Sequence, residues 1–298
     1  MARSVPPRVV VVTRPTDIDM MLLRHGTLAQ TRFFLESRGQ ALQPILDRHN
    51  VQEDAVHHAL AAIPLSWRRT HIQRSDLDRF LFEPDDIIVA VGQDGLVANV
   101  AKYLRGQPVI GVNPSKALFD GVLVRHPPAQ VARLLADAAK GCPCEDRTMV
   151  EASTPDGQRL VALNEIYVGH RTHQSSRYRI AFQNKEERHS SSGLIICTGT
   201  GSTGWARSVS LRREGCAPLP TSLSKDLTFL VREPWPSVVS GTSIADGCIC
   251  AEEFLRLTSE MNDGGVVFGD GIEQDALDLP FGQVLTVKAA PIALRLVC

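Results

Sequence analysis

Hydrophobic positions along this chain follow one rhythm up to about residue 115 and another from about residue 147. The run RVVVVT at 8–13 is β-branched and continuous, the signature of a strand buried on both faces. Residues 27–49 place Leu28, Phe33, Phe34, Leu35, Leu42, Ile45 and Leu46 at helical spacing, interrupted by Gly39. This predicts a helix, or two helices meeting at that glycine. A further helix is predicted over 52–63, with Ala55, Val56, Ala59, Leu60 and Ile63 on its inner face. Strands are predicted at 65–72, 85–91 and 108–112, with a helix at 96–104 between the last two. Strands alternating with helices imply a parallel sheet covered by helices.

A helix at 131–139 and the turn Gly141-Cys142-Pro143 follow. Short strands are then predicted at 148–153, 159–168, 178–183, 193–198, 227–232, 247–251 and 282–289, many separated by Gly, Pro, Asp or Asn. That pattern predicts an antiparallel, sandwich-like region. The segment 211–224, with Pro218 and Pro220, is expected to be a loop. The fold class is therefore an α/β domain with a parallel sheet over 1–120, followed by a β-rich domain over 121–280, with 280–298 available to return to the first.

Composition narrows the functional classes. Hydrophobic residues make up 43% of the 298 and the formal charge is −1, so the chain has ample core and no net basic field for general nucleic-acid or membrane-surface binding. The seven cysteines include two CxC pairs, Cys142/Cys144 and Cys248/Cys250, and no zinc spacing, so no metal ligands are assigned. No apolar run reaches the ~20 residues of a membrane span. Val9–Val12 already forms a strand, which leaves no room for a leader in the sequence given; the cytoplasm is the expected compartment.

Four clusters carry candidate chemistry. Gly92-Gln93-Asp94-Gly95 lies between a strand and a helix, where open α/β sheets bind ligands, and Asp94 could orient or deprotonate a hydroxyl. Taken alone, a plain turn is the commoner reading. Asn164-Glu165 puts an amide and a carboxylate inside an apolar strand, or else at a strand-end turn. The loop Cys197–Trp205 contains three glycines, hydroxyls at Thr198, Thr200, Ser202 and Thr203, and the aromatic face of Trp205, an arrangement suited to a nucleotide. Gly269-Asp270-Gly271 is a hairpin turn or an acidic contact to a ribose. The basic stretch Arg171, His173, Arg177 and Arg179 is expected to be a solvated face.

In this order, the four clusters resemble the NAD kinase family, whose pattern is a GGDG loop, an NE pair, a glycine-threonine-serine loop and a late DG. The mitochondrial-type branch is most similar, through PVIGVN at 108–113, the Ser-Ser-Gly-Leu segment before CTGTGS at 191–202, and REP at 232–234. The resemblance implies transfer of the ATP γ-phosphate to the 2′-hydroxyl of the adenosine ribose of NAD, with Mg²⁺, in a cleft between two domains. It maps the base onto Asp94 and dinucleotide contacts onto Gly92, Gln93, Gly95, Asn164, Glu165 and Asp270. The adenine-side loop maps onto Thr198, Thr200, Gly201, Ser202, Thr203, Trp205 and Ser208. It also implies small-molecule nucleotide ligands, no nucleic acid or membrane partner, and a homodimer or homotetramer.

Two departures stand out. Gln93 replaces the family's second loop glycine, and Leu96 stands where a threonine is usual. Loss of that hydroxyl would remove a phosphate or metal-water contact worth ~1.5–3 kcal/mol. Two alternatives stay open on sequence: a catalytically impaired NAD(P)-binding regulator, or a kinase for another hydroxyl. Ser192, where many bacterial-type members have Asp, follows the mitochondrial-type branch.

Overall fold

The β-branched opening run forms β1 (Arg8–Thr13), whose valines 9–12 are completely buried. The computed structural model describes residues 6–298 apart from 118–119, 212 and 214. After β1 come α1 (Asp17–His25), α2 (Leu28–Glu36), α3 (Gln43–Ala61), β2 (Arg68–Gln73), β3 (Ile87–Val91), α4 (Asp94–Ala101), β4 (Pro108–Val112), α5 (Val131–Ala139) and β5 (Cys144–Arg147). β1 pairs in parallel with β2 and with β3, and β3 pairs in parallel with β4. The chain therefore leaves β1 for one neighbour and then crosses back to the other. The carboxyl ends of β1 and β3 flank this reversal, which is the crevice where open α/β sheets take ligands.

Inner faces of α3 and α5 supply Ala55, Val56, Ala59, Leu134 and Leu135 to the core over Val9, Val11, Val89 and Ile110. Because α5 belongs to this core, the first compact unit runs to Glu145, about 25 residues beyond the boundary at 120. Two helix expectations change. α3 is one helix through Asn50 and Val51, where nothing breaks it, instead of two. α1 was not expected, although Thr16 and Asp19 form a capping box at its start.

The second unit, Asp146–Leu294, holds β6 (Val150–Ser153), β7 (Arg159–Ala162), β8 (Glu165–His170), β9 (Ser176–Phe182), β10 (Lys185–Ser191), β11 (Leu194–Cys197), α6 (Trp205–Ser210), β12 (Leu227–Val231), β13 (Asp246–Ile249), β14 (Leu255–Ser259), β15 (Gly265–Gly269), β16 (Ile272–Asp278) and β17 (Val284–Ala289). These strands form two antiparallel sheets, ordered β10-β9-β14-β17-β6-β7 and β13-β12-β11-β8-β15-β16. Tyr178, Ile180, Leu257 and Leu285 of the first meet Ile166, Leu194, Ile196 and Phe229 of the second in one core. The antiparallel, β-rich organisation is the one the short strands imply.

The expected strand 159–168 is broken into β7 and β8 at Leu163-Asn164. β10, β14, β15 and β16 were not expected. β10 (KEERHSS) and β16 (IEQDALD) are edge strands, and polar edges erase the alternation by which strands are found. β18 (Leu294–Val297) joins the first sheet beside β4, with Arg295 opposite Pro108, while β17 stays in the second unit.

Candidate functional site

In the first unit, Gly92 follows β3 and its N–H donates to Val112 O at 3.0 Å. Gln93 caps α4 in extended conformation without a side-chain bond to the helix. It is half-buried and faces a cavity of about 70 Å³ that it shares with Arg14, Thr16, Arg48, His49 and Gln52. Both crevice loops thus line one small pocket. Thr16 Oγ1 donates to Asp19 at 2.8 Å and lies 2.8 Å from His49 Nδ1, which fixes the β1 loop. Gln52 Nε2 donates to Val91 O at 3.0 Å, which ties α3 to the end of β3. Arg14 is exposed and has no ion-pair partner among the described residues.

Asp94, the first residue of α4, accepts three backbone N–H bonds: Val122 at 2.9 Å on Oδ2, and Leu123 at 2.8 Å and Val124 at 2.9 Å on Oδ1. It therefore anchors the segment after β4, and Oδ2, with one amide donor, keeps the larger share of free acceptor capacity. Gly95 is exposed and would meet nothing if it carried a Cβ, so the N-terminus of α4 is open. Leu96 is 2% exposed and packs into the core. The leucine at this position fills interior volume beneath the loop. Its Cδ2 lies 3.4 Å from where a Cβ on Gly92 would stand, so it packs against the start of the loop.

In the second unit, Asn164 sits in the β7–β8 turn and Glu165 begins β8, so the pair is at a strand end and not within a strand. Asp270 holds that turn. Its carboxylate accepts Leu163 N–H at 2.8 Å and Asn164 N–H at 2.7 Å, with Glu165 N–H at 3.4 Å. Asp270 and Gly271 have φ of 54° and 68°, the paired left-handed residues of a two-residue hairpin turn, here between β15 and β16. The late DG is thus both a turn and an acidic clamp. Burial pushes the Glu165 carboxyl up to about 7, with the Asp270 charge a second cause.

The glycine-hydroxyl loop leaves β11 and turns into α6. Thr198 Oγ1 donates to Leu163 O at 2.6 Å and accepts the N–H groups of Thr200 and Gly201. Ser202 Oγ lies 2.6 Å from Pro220 O and 3.1 Å from Thr198 O. Thr203 and Ser208 bond back to Thr200 O and Trp205 O. A Cβ on Gly199 would collide with Thr221 O, and one on Gly201 with Asn164 O. Two of the loop's glycines therefore serve close backbone approach within the protein, not approach by a ligand. Gly201 lies against Asn164, so the loop, the NE pair and Asp270 form one contiguous cluster. Inside it, the buried Thr200 hydroxyl has no protein partner.

Trp205 stacks on Tyr167, with centroids 5.7 Å apart, and carries the Arg232 guanidinium at 5.2 Å. Beside them is a cavity of about 490 Å³, also lined by Arg171, Phe268 and Gln274. Tyr167, Arg14, Arg48 and His49 were not singled out from sequence, and Arg232 was noted only as the start of the REP segment. Arg14 was within reach of the rule that loops follow the carboxyl ends of strands at a switch point. Arg171 pairs with Asp278 at 2.6 Å, and Arg179 with Glu260 at 3.0 Å, so much of the basic stretch is neutralised. Among the described residues no group of three or more His, Cys, Asp or Glu could hold a metal ion.

No family model matches the chain. It is similar to the mitochondrial NAD kinase 2 of Rattus norvegicus, 26% identical over 287 positions that cover 74% of this chain and 67% of that protein. It is also similar to an NAD kinase of Psychrobacter arcticus, 27% identical over 272 positions, covering 84% and 76%. Against the human mitochondrial NAD kinase 2 the chain spans 57% of the relative's length. Among solved structures, an NAD kinase from Archaeoglobus fulgidus in complex with ATP superposes with a TM-score of 0.61 at 18% identity, over 98% of this chain and 93% of that one. The chain is thus similar to NAD kinases in sequence and shares its fold with a solved NAD kinase.

Proposed function

We propose that this chain is an NAD kinase, which transfers the γ-phosphate of ATP to the 2′-hydroxyl of the adenosine ribose of NAD. One observation carries the reading. The loop, the NE pair and the DG turn of the second unit form one contacting cluster, while GxDG stands at the switch point of the parallel sheet. The catalytic assignment falls on Asp94, whose Oδ2 can accept the hydroxyl's hydrogen bond and orient it for in-line attack. The open N-terminus of α4 and the Arg14 cation suit phosphate oxygens. Gln93 faces the same pocket and could donate its amide there.

For the dinucleotide, Trp205 offers a ring face to the base, and the orphan Thr200 hydroxyl is a donor in search of an acceptor. A Glu165 that holds its proton near neutrality can donate to a ligand hydroxyl, with Asn164 beside it. Gly92, Gly95, Thr198, Gly201, Ser202, Thr203, Ser208 and Asp270 act in this reading by shaping the backbone, since most of their polar groups bond within the protein. Mg²⁺ fits as a cation carried on the triphosphate, because it keeps several waters and needs only one or two carboxylates, of which Asp94 offers one. When bound, it neutralises phosphate charge.

A homodimer or homotetramer belongs to the same reading, and the exposed Trp235, Val238 and Val239 offer apolar surface for it. Seven free cysteines suit a reducing compartment such as the cytoplasm. Among the described residues no helix is long and apolar enough to cross a membrane.

Incubation of the purified protein with ATP, Mg²⁺ and NAD tests the proposal. NADP should accumulate, and an Asp94→Ala control should not make it. Equal traces from both would overturn the kinase assignment. If only Gln93→Gly is active, the natural chain is a dinucleotide-binding regulator on this fold.

A further inference from the structure

The segment 217–224, expected to be a loop, joins no strand, yet side chains of its neighbours fix it along its length. Every second carbonyl accepts a bond. Pro218 O takes Thr228 Oγ1 at 2.8 Å, and Pro220 O takes Ser202 Oγ at 2.6 Å. Ser222 O takes the Arg147 guanidinium at 3.1 Å, and Ser224 O takes Thr148 Oγ1 at 2.8 Å. All of these residues belong to the second unit. Thr221 lies between two clamped carbonyls. Its own carbonyl accepts Ser224 N–H at 2.9 Å and fills the space where Gly199 has no Cβ. Arg147 is 2% exposed, and it is the one cation among the four donors.

We propose that Arg147 is a positioning residue for the dinucleotide, acting through this strap on the glycine-hydroxyl loop. The inference rests on the reading of that loop as the dinucleotide site. The path is short. Arg147 holds Ser222, the preceding residue presents the Thr221 carbonyl, and that carbonyl bears on Gly199. Gly199 stands between Thr198 and Thr200. The Thr198 hydroxyl gathers the N–H groups of Thr200 and Gly201, and the Thr200 hydroxyl is buried without a protein partner. A stretch without a ladder has only such side-chain bonds to fix its backbone. Packing alone does not call for a guanidinium here, because an apolar side chain of similar volume fills a core without the cost of desolvating a charge. What a buried cation adds is a strong, directed bond to one carbonyl, and here that bond sets the strap against the loop.

Calorimetric titration of the full chain with NAD, joined to amide hydrogen exchange, tests the inference. Arg147→Met keeps the volume and loses the donor, and it should weaken NAD binding about tenfold. The kcat at saturating NAD and the KM for ATP should stay as in the wild type. Arg147→Lys retains a charged donor and should recover most of the affinity. Thr148→Val should weaken NAD binding about threefold, and it carries the test if Arg147→Met does not fold. Exchange at the Thr200 and Gly201 amides should quicken in both variants while that in β9 and β14 is unchanged. Unchanged exchange at 200–201, or NAD affinity equal to the wild type in these variants, would overturn the assignment. A wild type that binds no NAD, with exchange responding as expected, would uphold the strap and sink the dinucleotide reading instead.

Discussion

Glu165 gains nothing from being ionised where it sits. In the unfolded chain its carboxyl ionises near its ordinary 4.5, whereas burial, helped by the Asp270 charge, lifts it to about 7 in the fold. The native state therefore binds more protons than the unfolded state between those values. The stabilisation is fully present below about 4.5 and is lost as pH climbs through about 7. The shift corresponds to at most about 3 kcal/mol, and less for a group that is only half-buried. Urea midpoints for the wild type should be lower at about pH 8 than at about pH 5, and Glu165→Gln should shrink that difference. Leu96 makes a second test at this scale. Leu96→Thr introduces the residue that the family resemblance implies, yet it buries a hydroxyl and vacates apolar volume. It should lower stability by about 1–3 kcal/mol in denaturant melts and leave the rate of NADP formation unimproved. Which loop residue faces the pocket was not legible in the one-dimensional pattern. Gln93 and Leu96 look alike as departures, and only the helix start at Asp94 sends one to the pocket and the other to the core.

The clearest test among the elements concerns the turn that links β11 to α6. Gly199 and Gly201 admit the carbonyls of Thr221 and Asn164, so a methyl group at either position must push backbone aside. Gly199→Ala should cost about 2–4 kcal/mol by calorimetry and disturb the NE turn. Gly95→Ala, in open space, should leave stability nearly unchanged. The strands buried on both faces, β1 and β3, were legible because continuous β-branched runs survive without context. β10 and β16 were not, because each needs only one neighbour strand and offers polar side chains to solvent. The break between β7 and β8 was hidden for another reason: Asp270, over a hundred residues later, supplies the bonds that turn the chain there.

For the whole molecule, the prediction concerns ligands. A nucleotide that binds only the folded chain stabilises it by RT ln(1 + [L]/Kd), about 2.7 kcal/mol at a hundredfold excess over Kd. NAD and ATP should each raise the unfolding temperature, and Trp205→Ala should suppress the NAD response while leaving the ATP response intact. Loss of both responses in that variant would show that Trp205 acts on folding instead of on the base. The amino-acid sequence by itself determined the α/β and β-rich character of the two regions, the candidate clusters and their order. Those properties rest on local periodicity and on residue types that carry chemistry wherever they stand. Tertiary structure alone decided that Asp94 anchors the segment at 122–124, and that Asp270 clamps Asn164. It also decided that Gly199 and Gly201 serve packing. Each of these depends on which distant backbone amide, carbonyl or charge comes within bonding distance, and no local pattern encodes that.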